Sequence, residues 1–306
     1  MTEEEEEGQE ILEGIDRPEV ERMETLNKEE LLKLYVETSE KETVFPIPAF
    51  IRYLKDEDED PNELDLIILG NHKLNFSSRV TDPQLKILCN VLQGYAHMIE
   101  NVDLKYNHIH DEGAMYLADL LRLSPELKYL DLSGNSIEVK GAQILAEVLK
   151  ESEQLMYLNL NGNFILTEGS MSITELLFTN LKLMHLDIGN NELDHDGMIA
   201  LSSVINCSND TLEVLNIDNP RYKTIGQETA IHFGKMVANN VGLQKLSMRK
   251  HKLRCDGTYV FMEHLFENTT LKVLDLNANE IGPQRMGAIG KYLKQESCSR
   301  KHAHGK

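Results

Sequence analysis

Three stretches of this chain hold side chains whose types and spacing could do chemistry. Asp194-His195-Asp196-Gly197 sets an imidazole between two carboxylates, a set that suits a metal ion. His302-Ala303-His304 offers two further imidazoles close together. Met248-Arg249-Lys250-His251-Lys252-Leu253-Arg254 crowds four Lys/Arg side chains into seven positions, a density that suits phosphate or an import receptor. What any of them does depends on the elements that hold it.

The basic stretch stands in a chain of 306 residues with a net charge of -20. Residues 1–62 carry 21 Asp/Glu against 7 Lys/Arg, so most of that charge belongs to the leader. A net-negative chain repels phosphate backbones, and direct nucleic-acid binding is not expected. Hydrophobic residues make up 41% of the chain, enough for a sizeable core. Glu3 to Glu7 stand where a secretory signal would need a basic start, and no run approaches the roughly 18 apolar residues of a membrane span. A soluble, cytoplasmic chain with no membrane partner is the expectation. Cys89, Cys207, Cys255 and Cys298 form no CxxC pair, which points to reduced thiols rather than a disulfide framework or a zinc ribbon. Triplets such as Asn75-Phe76-Ser77 mean little without a secretory route.

The positioning elements come from a repeat. The frame L-x-x-L-x-L-x-x-N-x-L fits Leu127 to Ile137, Leu155 to Ile165 and Leu183 to Leu193, and further units start at Leu64, Ile99, Leu212, Leu243 and Leu271. Most of these eight starts are 28 residues apart. Positions four and six, such as Leu130 and Leu132, should point from a short strand into a core. Position nine, usually Asn, should bond the loop backbone. A glycine recurs fourteen residues after the start (Gly113, Gly141, Gly169, Gly197, Gly226, Gly257), suiting a turn into a helix, and Ile144, Leu145, Val148 and Leu149 show helical apolar spacing behind it. One strand and one helix cannot bury their faces alone, so the units must stack into a curved α/β solenoid with strands inside and helices outside.

These motifs resemble the leucine-rich repeats of the ribonuclease-inhibitor type. The resemblance implies a right-handed horseshoe over residues 64–296. It departs from the pattern at position nine in three units: His72, Pro220 and His251. Extra residues around Ser77 to Pro83 and Pro220 to Tyr222 are read as interaction loops or tolerated surface.

Within this frame the candidate chemistry recedes. Asp194-His195-Asp196-Gly197 occupies the same pre-glycine turn as His110-Asp111-Glu112-Gly113, so a polar loop is the better account. His302 and His304 sit in a polar tail, residues 297–306, without fixed geometry. In the basic stretch Met248 and Leu253 become core, His251 takes the Asn place, and Arg249, Lys250 and Lys252 become exposed strand and loop. No cofactor, metal or catalytic group is expected.

Ahead of the repeats, residues 26–63 read as a helical cap. Asn27 starts a helix with Leu31, Leu32, Leu34 and Tyr35 on its apolar side, and Pro46-Ile47-Pro48 turns into a second short helix. Residues 1–25 read as an acidic, disordered leader. This organisation resembles small intracellular proteins of the same class, including those of germ cells and cilia.

Binding is expected on the inner strands. Position three reads Leu66, Asn101, Tyr129, Tyr157, His185, Val214, Lys245 and Val273, which places Tyr129, Tyr157 and His185 in one stripe. Position five supplies an acidic column that includes Asp131 and Asp187. Tyr106 and Phe164 are neighbouring contributors, and Lys245, Arg249 and Lys250 form a basic end. The resemblance implies a non-enzymatic scaffold for an intracellular protein partner. Its rivals are a regulator of an enzyme, inhibiting a ribonuclease or activating a GTPase, and an architectural part of an assembly such as a ciliary axoneme.

Overall fold

The computed structural model describes residues 22–56, 64–72, 78–221, 227–266 and 268–282. Eight parallel strands form one sheet in strict sequence order: β1 (Leu64–Ile67), β2 (Ile99–Asp103), β3 (Tyr129–Asp131), β4 (Tyr157–Asn159), β5 (His185–Asp187), β6 (Val214–Asn216), β7 (Lys245–Ser247) and β8 (Val273–Asp275). Helices α1 (Lys28–Lys41) and α2 (Pro48–Leu54) precede the sheet. The helices that follow the first seven strands are α3 (Asp82–Leu92), α4 (Asp111–Leu121), α5 (Val139–Leu149), α6 (Leu166–Thr179), α7 (His195–Cys207), α8 (Gln227–Asn239) and α9 (Arg254–Leu265). Neighbouring strands sit about 4.8 Å apart, whereas packed helices need about 8–10 Å. One helix per strand therefore forces the sheet onto the inside of a curve.

The core lies between the two layers. In the second to seventh units positions four and six are buried as expected, and position one with them, for example Leu127, Leu130 and Leu132, or Leu183, Leu186 and Ile188. From the helices Leu117, Leu145, Ile173, Leu201, Phe233 and Phe261 meet them. Each buried aliphatic side chain contributes roughly 1.5–3 kcal/mol through lost water contact.

Buried asparagines at position nine tie unit to unit. The Nδ2 of Asn135 donates to the carbonyls of Leu104 (3.0 Å) and Leu132 (2.9 Å), and its Oδ1 accepts from the Ile109 amide at 3.2 Å. Asn163 repeats the pattern with Leu132, Leu160 and Ile137. His251 fills the place in the seventh unit: its Nε2–H donates to the Ile217 carbonyl at 2.7 Å, fully buried. Pro220 has no such group in the sixth. There the position-nine link to the preceding unit is replaced at the surface by Asn219 to Asn190 (3.1 Å) and Arg221 to Glu192 (2.9 Å).

Three sequence expectations are corrected. In the first unit the frame slips by one residue: Leu66 pairs with Val102 and Ile67 with Asp103, so Asn71 rather than His72 holds position nine. Leu66 is therefore core, and the inner face carries Asp65 and Ile67 instead. The recurrent glycines among the described residues sit within the first turn of their helices, where close packing and not a turn angle requires them, and Gly226 lies outside the described residues. A Cβ at Gly113 would come 2.4 Å from Asp82 Oδ1, and one at Gly141 would come 2.6 Å from Asp111 Oδ1. Leu34, expected on the apolar side of α1, is exposed, and Leu31 and Tyr35 carry that side.

Asn27 Oδ1 accepts from the Glu30 amide at 3.2 Å, which starts α1. The Tyr35 hydroxyl accepts from the Ile47 amide at 2.8 Å, and its ring meets Phe50 edge-on at 5.0 Å. Burial raises the Tyr35 phenol to about 12. The expected leader lies outside the described residues up to residue 21, as do His302, His304 and the rest of the tail.

Candidate functional site

Parallel pairing in register sets equivalent side chains of neighbouring units level with one another. Tyr129 pairs with Tyr157, and Tyr157 with His185, on β3, β4 and β5. Their rings stack along the inner sheet, with centroids 4.2 Å apart and planes 14° apart for the two tyrosines, and 4.3 Å and 25° for Tyr157 and His185. Each such contact contributes about 1 kcal/mol beyond the area it covers. All three rings remain half-exposed. Burial raises both phenols, with the Asp131 carboxylate adding to it, and burial holds His185 below its ordinary value against the opposing pull of Asp187. At neutral pH the stack is therefore uncharged.

The acidic column beneath it is largely committed internally. Asp131 is 3% exposed: its Oδ1 accepts from the Ser133 amide (2.9 Å) and hydroxyl (2.6 Å), and its Oδ2 from Asn159 (3.1 Å). Asp187 accepts from the Gly189 amide, Asn161 and Asn216. The bond from position five to the amide two residues on recurs at Asn159, Asn216 and Asp275. It is an Asx turn that ends each of these strands. Acid and amide alternate over β3 to β6, and Lys105 Nζ lies 2.7 Å from Asp103 and 3.9 Å from Asp131, so like charges on adjacent strands never meet unbridged. A mainly acidic column was expected to present its side chains here. The turn chemistry takes up most of their lone pairs instead.

Lys245 continues the position-three column, two strands beyond His185, and is exposed. Arg249 and Lys250 lie in the loop after β7, also exposed, with Arg249 3.9 Å from Asp275. Tyr106 and Phe164 do not join the stack. They sit on the loops past the strand ends, 44% and 49% exposed, with the Tyr106 ring over Gly134, where a Cβ would come 2.5 Å from its Cδ1. Asp194 caps α7 by accepting from the Asp196 and Gly197 amides, and His195 Nδ1 lies 3.0 Å from the Thr229 hydroxyl, which is the polar-turn geometry expected. Among the described residues, no group of three or more His, Cys, Asp or Glu side chains converges on a metal position. No described helix is long and apolar enough to cross a membrane.

A family profile described as Leucine Rich repeat matches residues 95–118, 124–146, 179–202 and 267–284, each spanning a unit boundary of the solenoid. The chain is a leucine-rich-repeat protein. Leucine-rich repeat-containing protein 34 of Mus musculus is 47% identical over 214 residues, which cover 70% of this leucine-rich-repeat chain and 51% of that protein. The chain thus spans about half the length of the curated relative it matches. Among solved structures, leiomodin-1 actin-binding site 2 aligns over 63% of this chain and 96% of that one, at 16% identity and a TM-score of 0.44.

A second asparagine row escaped the sequence reading. Asn180, Asn209, Asn240 and Asn268 each stand three residues before a unit start and are buried. Asn240 Nδ2 donates to the carbonyls of Ile205 (2.9 Å) and Asn209 (2.8 Å), and its Oδ1 accepts from the Gly242 and Leu243 amides. The constant offset from the next leucine was the available signal.

Proposed function

We propose that this leucine-rich-repeat chain is a non-enzymatic scaffold that holds an intracellular protein partner on its concave sheet, centred on Tyr129, Tyr157 and His185. The observation that carries the reading is the half-exposed ring stack. Three flat side chains already ordered against one another offer contact area with little further loss of freedom on binding. Lys245 and Lys250 have no ion-pair partner among the described residues, so the basic end of the face is open to an acidic segment of the partner. Because Asp131 and much of Asp187 are already satisfied, the rings and the basic end carry the contact more than the acidic column does.

The test is affinity purification with lysine crosslinking, comparing the full chain with a Tyr129→Ala, Tyr157→Ala, His185→Ala variant shown by circular dichroism to stay folded. A main partner crosslinked at Lys245 should be lost in the variant, and its association should slow as salt rises. An unchanged partner set, crosslinked to the helices, would overturn the concave-face reading.

A further inference from the structure

The strand-start edge of the sheet carries a surface unrelated to the ring stack. The residues at position two extend the parallel ladder as a row: Met184 donates its amide to the Met156 carbonyl (2.9 Å), Glu213 to Met184 (2.8 Å) and Gln244 to Glu213 (2.8 Å). Elsewhere in the row the side chains pair with each other. Lys128 Nζ lies 2.6 Å from Glu100, and Lys272 donates to Gln244 at 2.8 Å. Met156 and Met184 interrupt that pairing and are exposed.

The loops beside this row are fixed by the second asparagine row, and each displays the residue after its asparagine. Two of these are large aliphatics, Leu181 and Val241, exposed to 54% and 66% on backbone that buried Asn180 and Asn240 hold in place. A Cβ at Gly242 would come 1.9 Å from the Asp210 carbonyl, so the loops also abut without slack. Between them lies a groove of about 550 Å³ whose lining includes Met156, Leu181, Met184 and Val241. Its charged lining is Glu153, Asp210 and Glu213 against a single Lys182, and neither Glu153 nor Glu213 has an ion-pair partner among the described residues. Methionine floors adapt to varied apolar shapes, and ordered aliphatics exposed beside carboxylates mark a docking surface.

We infer that this groove docks a basic amphipathic segment of a partner protein, with apolar side chains against Met156, Leu181, Met184 and Val241 and lysines or arginines toward Glu153, Asp210 and Glu213. Other occupants fit less well. The chain's own leader is acidic and would be repelled, and its basic tail, Ser299 to Lys306, has no large apolar residue to anchor. A second copy joined about a two-fold axis would set the same carboxylates against each other.

The test uses fluorescence anisotropy of the full chain at near-physiological salt with two labelled peptides. One carries leucines at helical spacing with lysines elsewhere, and the other carries glutamates in place of the lysines. The lysine peptide should bind saturably and the glutamate peptide should not. Leu181→Ser with Met184→Ser, and separately Glu153→Gln with Glu213→Gln, should each weaken binding by about tenfold or more. Tyr129→Ala with Tyr157→Ala should leave it unchanged, which separates this groove from the concave face. Equal binding of both peptides, insensitivity to the groove substitutions, or loss in the tyrosine variant would overturn the inference.

Discussion

His251 couples the stability of the fold to acid. Burial pulls its imidazole down from 6.5 to about 4, opposed by the bond to the Ile217 carbonyl and aided by the nearby charge of His195. The folded chain therefore takes up this proton only at a lower pH than the unfolded chain does. The resulting stabilisation is complete above the ordinary value of 6.5 and is lost as pH falls toward about 4. It amounts to about 3 kcal/mol. His185, also held down by burial, acts with the same sign. His251→Asn restores the side chain that most units use at this place and removes the titration. Denaturant unfolding at neutral and mildly acidic pH should show the variant losing about 2–3 kcal/mol less than the native chain across that interval. Equal losses would mean that the proton binds elsewhere.

The helices and loops make a sharper comparison through their glycines. At Gly141 an added Cβ would strike Asp111 Oδ1 at 2.6 Å and Ile137 Cγ2 at 2.7 Å, whereas at Gly162 the nearest atoms are 3.7 Å away and the constraint is a φ of +69°. Gly141→Ala should cost about 2 kcal/mol by overpacking, and Gly162→Ala about 1 kcal/mol by strain. Asparagine should rescue position 162, because Asn190 and Asn219 hold the same place with φ of 55° and 59°, but not position 141. Thermal unfolding of the four variants checks this. The same two sites show what was legible in advance. A glycine every 28 residues announced a constraint, yet spacing alone does not distinguish a turn from a helix contact. The strands were readable because Leu130 and Leu132, and their equivalents, alternate cleanly with polar neighbours. The first strand was not, since Leu64, Leu66, Ile67 and Ile68 are all apolar and accept either register. The ring stripe followed from position three. The engagement of Asp131 did not, because an Asx turn and a free carboxylate look the same in sequence.

Among the described residues of the solenoid each unit bonds only to its neighbours, so cohesion is a chain of local joins. Not all joins are alike. Most have a position-nine side chain reaching across, but the join between the fifth and sixth units, where Pro220 stands, lacks it and keeps buried Asn240 of the second row together with Asn219, Arg221 and their exposed partners beyond the strand pairing. Exposed pairs of this kind contribute little, about 0–1 kcal/mol. Pulled between handles at Ser78 and Phe266 in optical tweezers, the chain should part first at that join and leave two folded blocks. Pro220→Asn should raise the force of that first event. Peeling from one end at a force the substitution does not change would count against it. A protein anchored at both ends would then carry a built-in point of mechanical yield, set by the absence of one amide group.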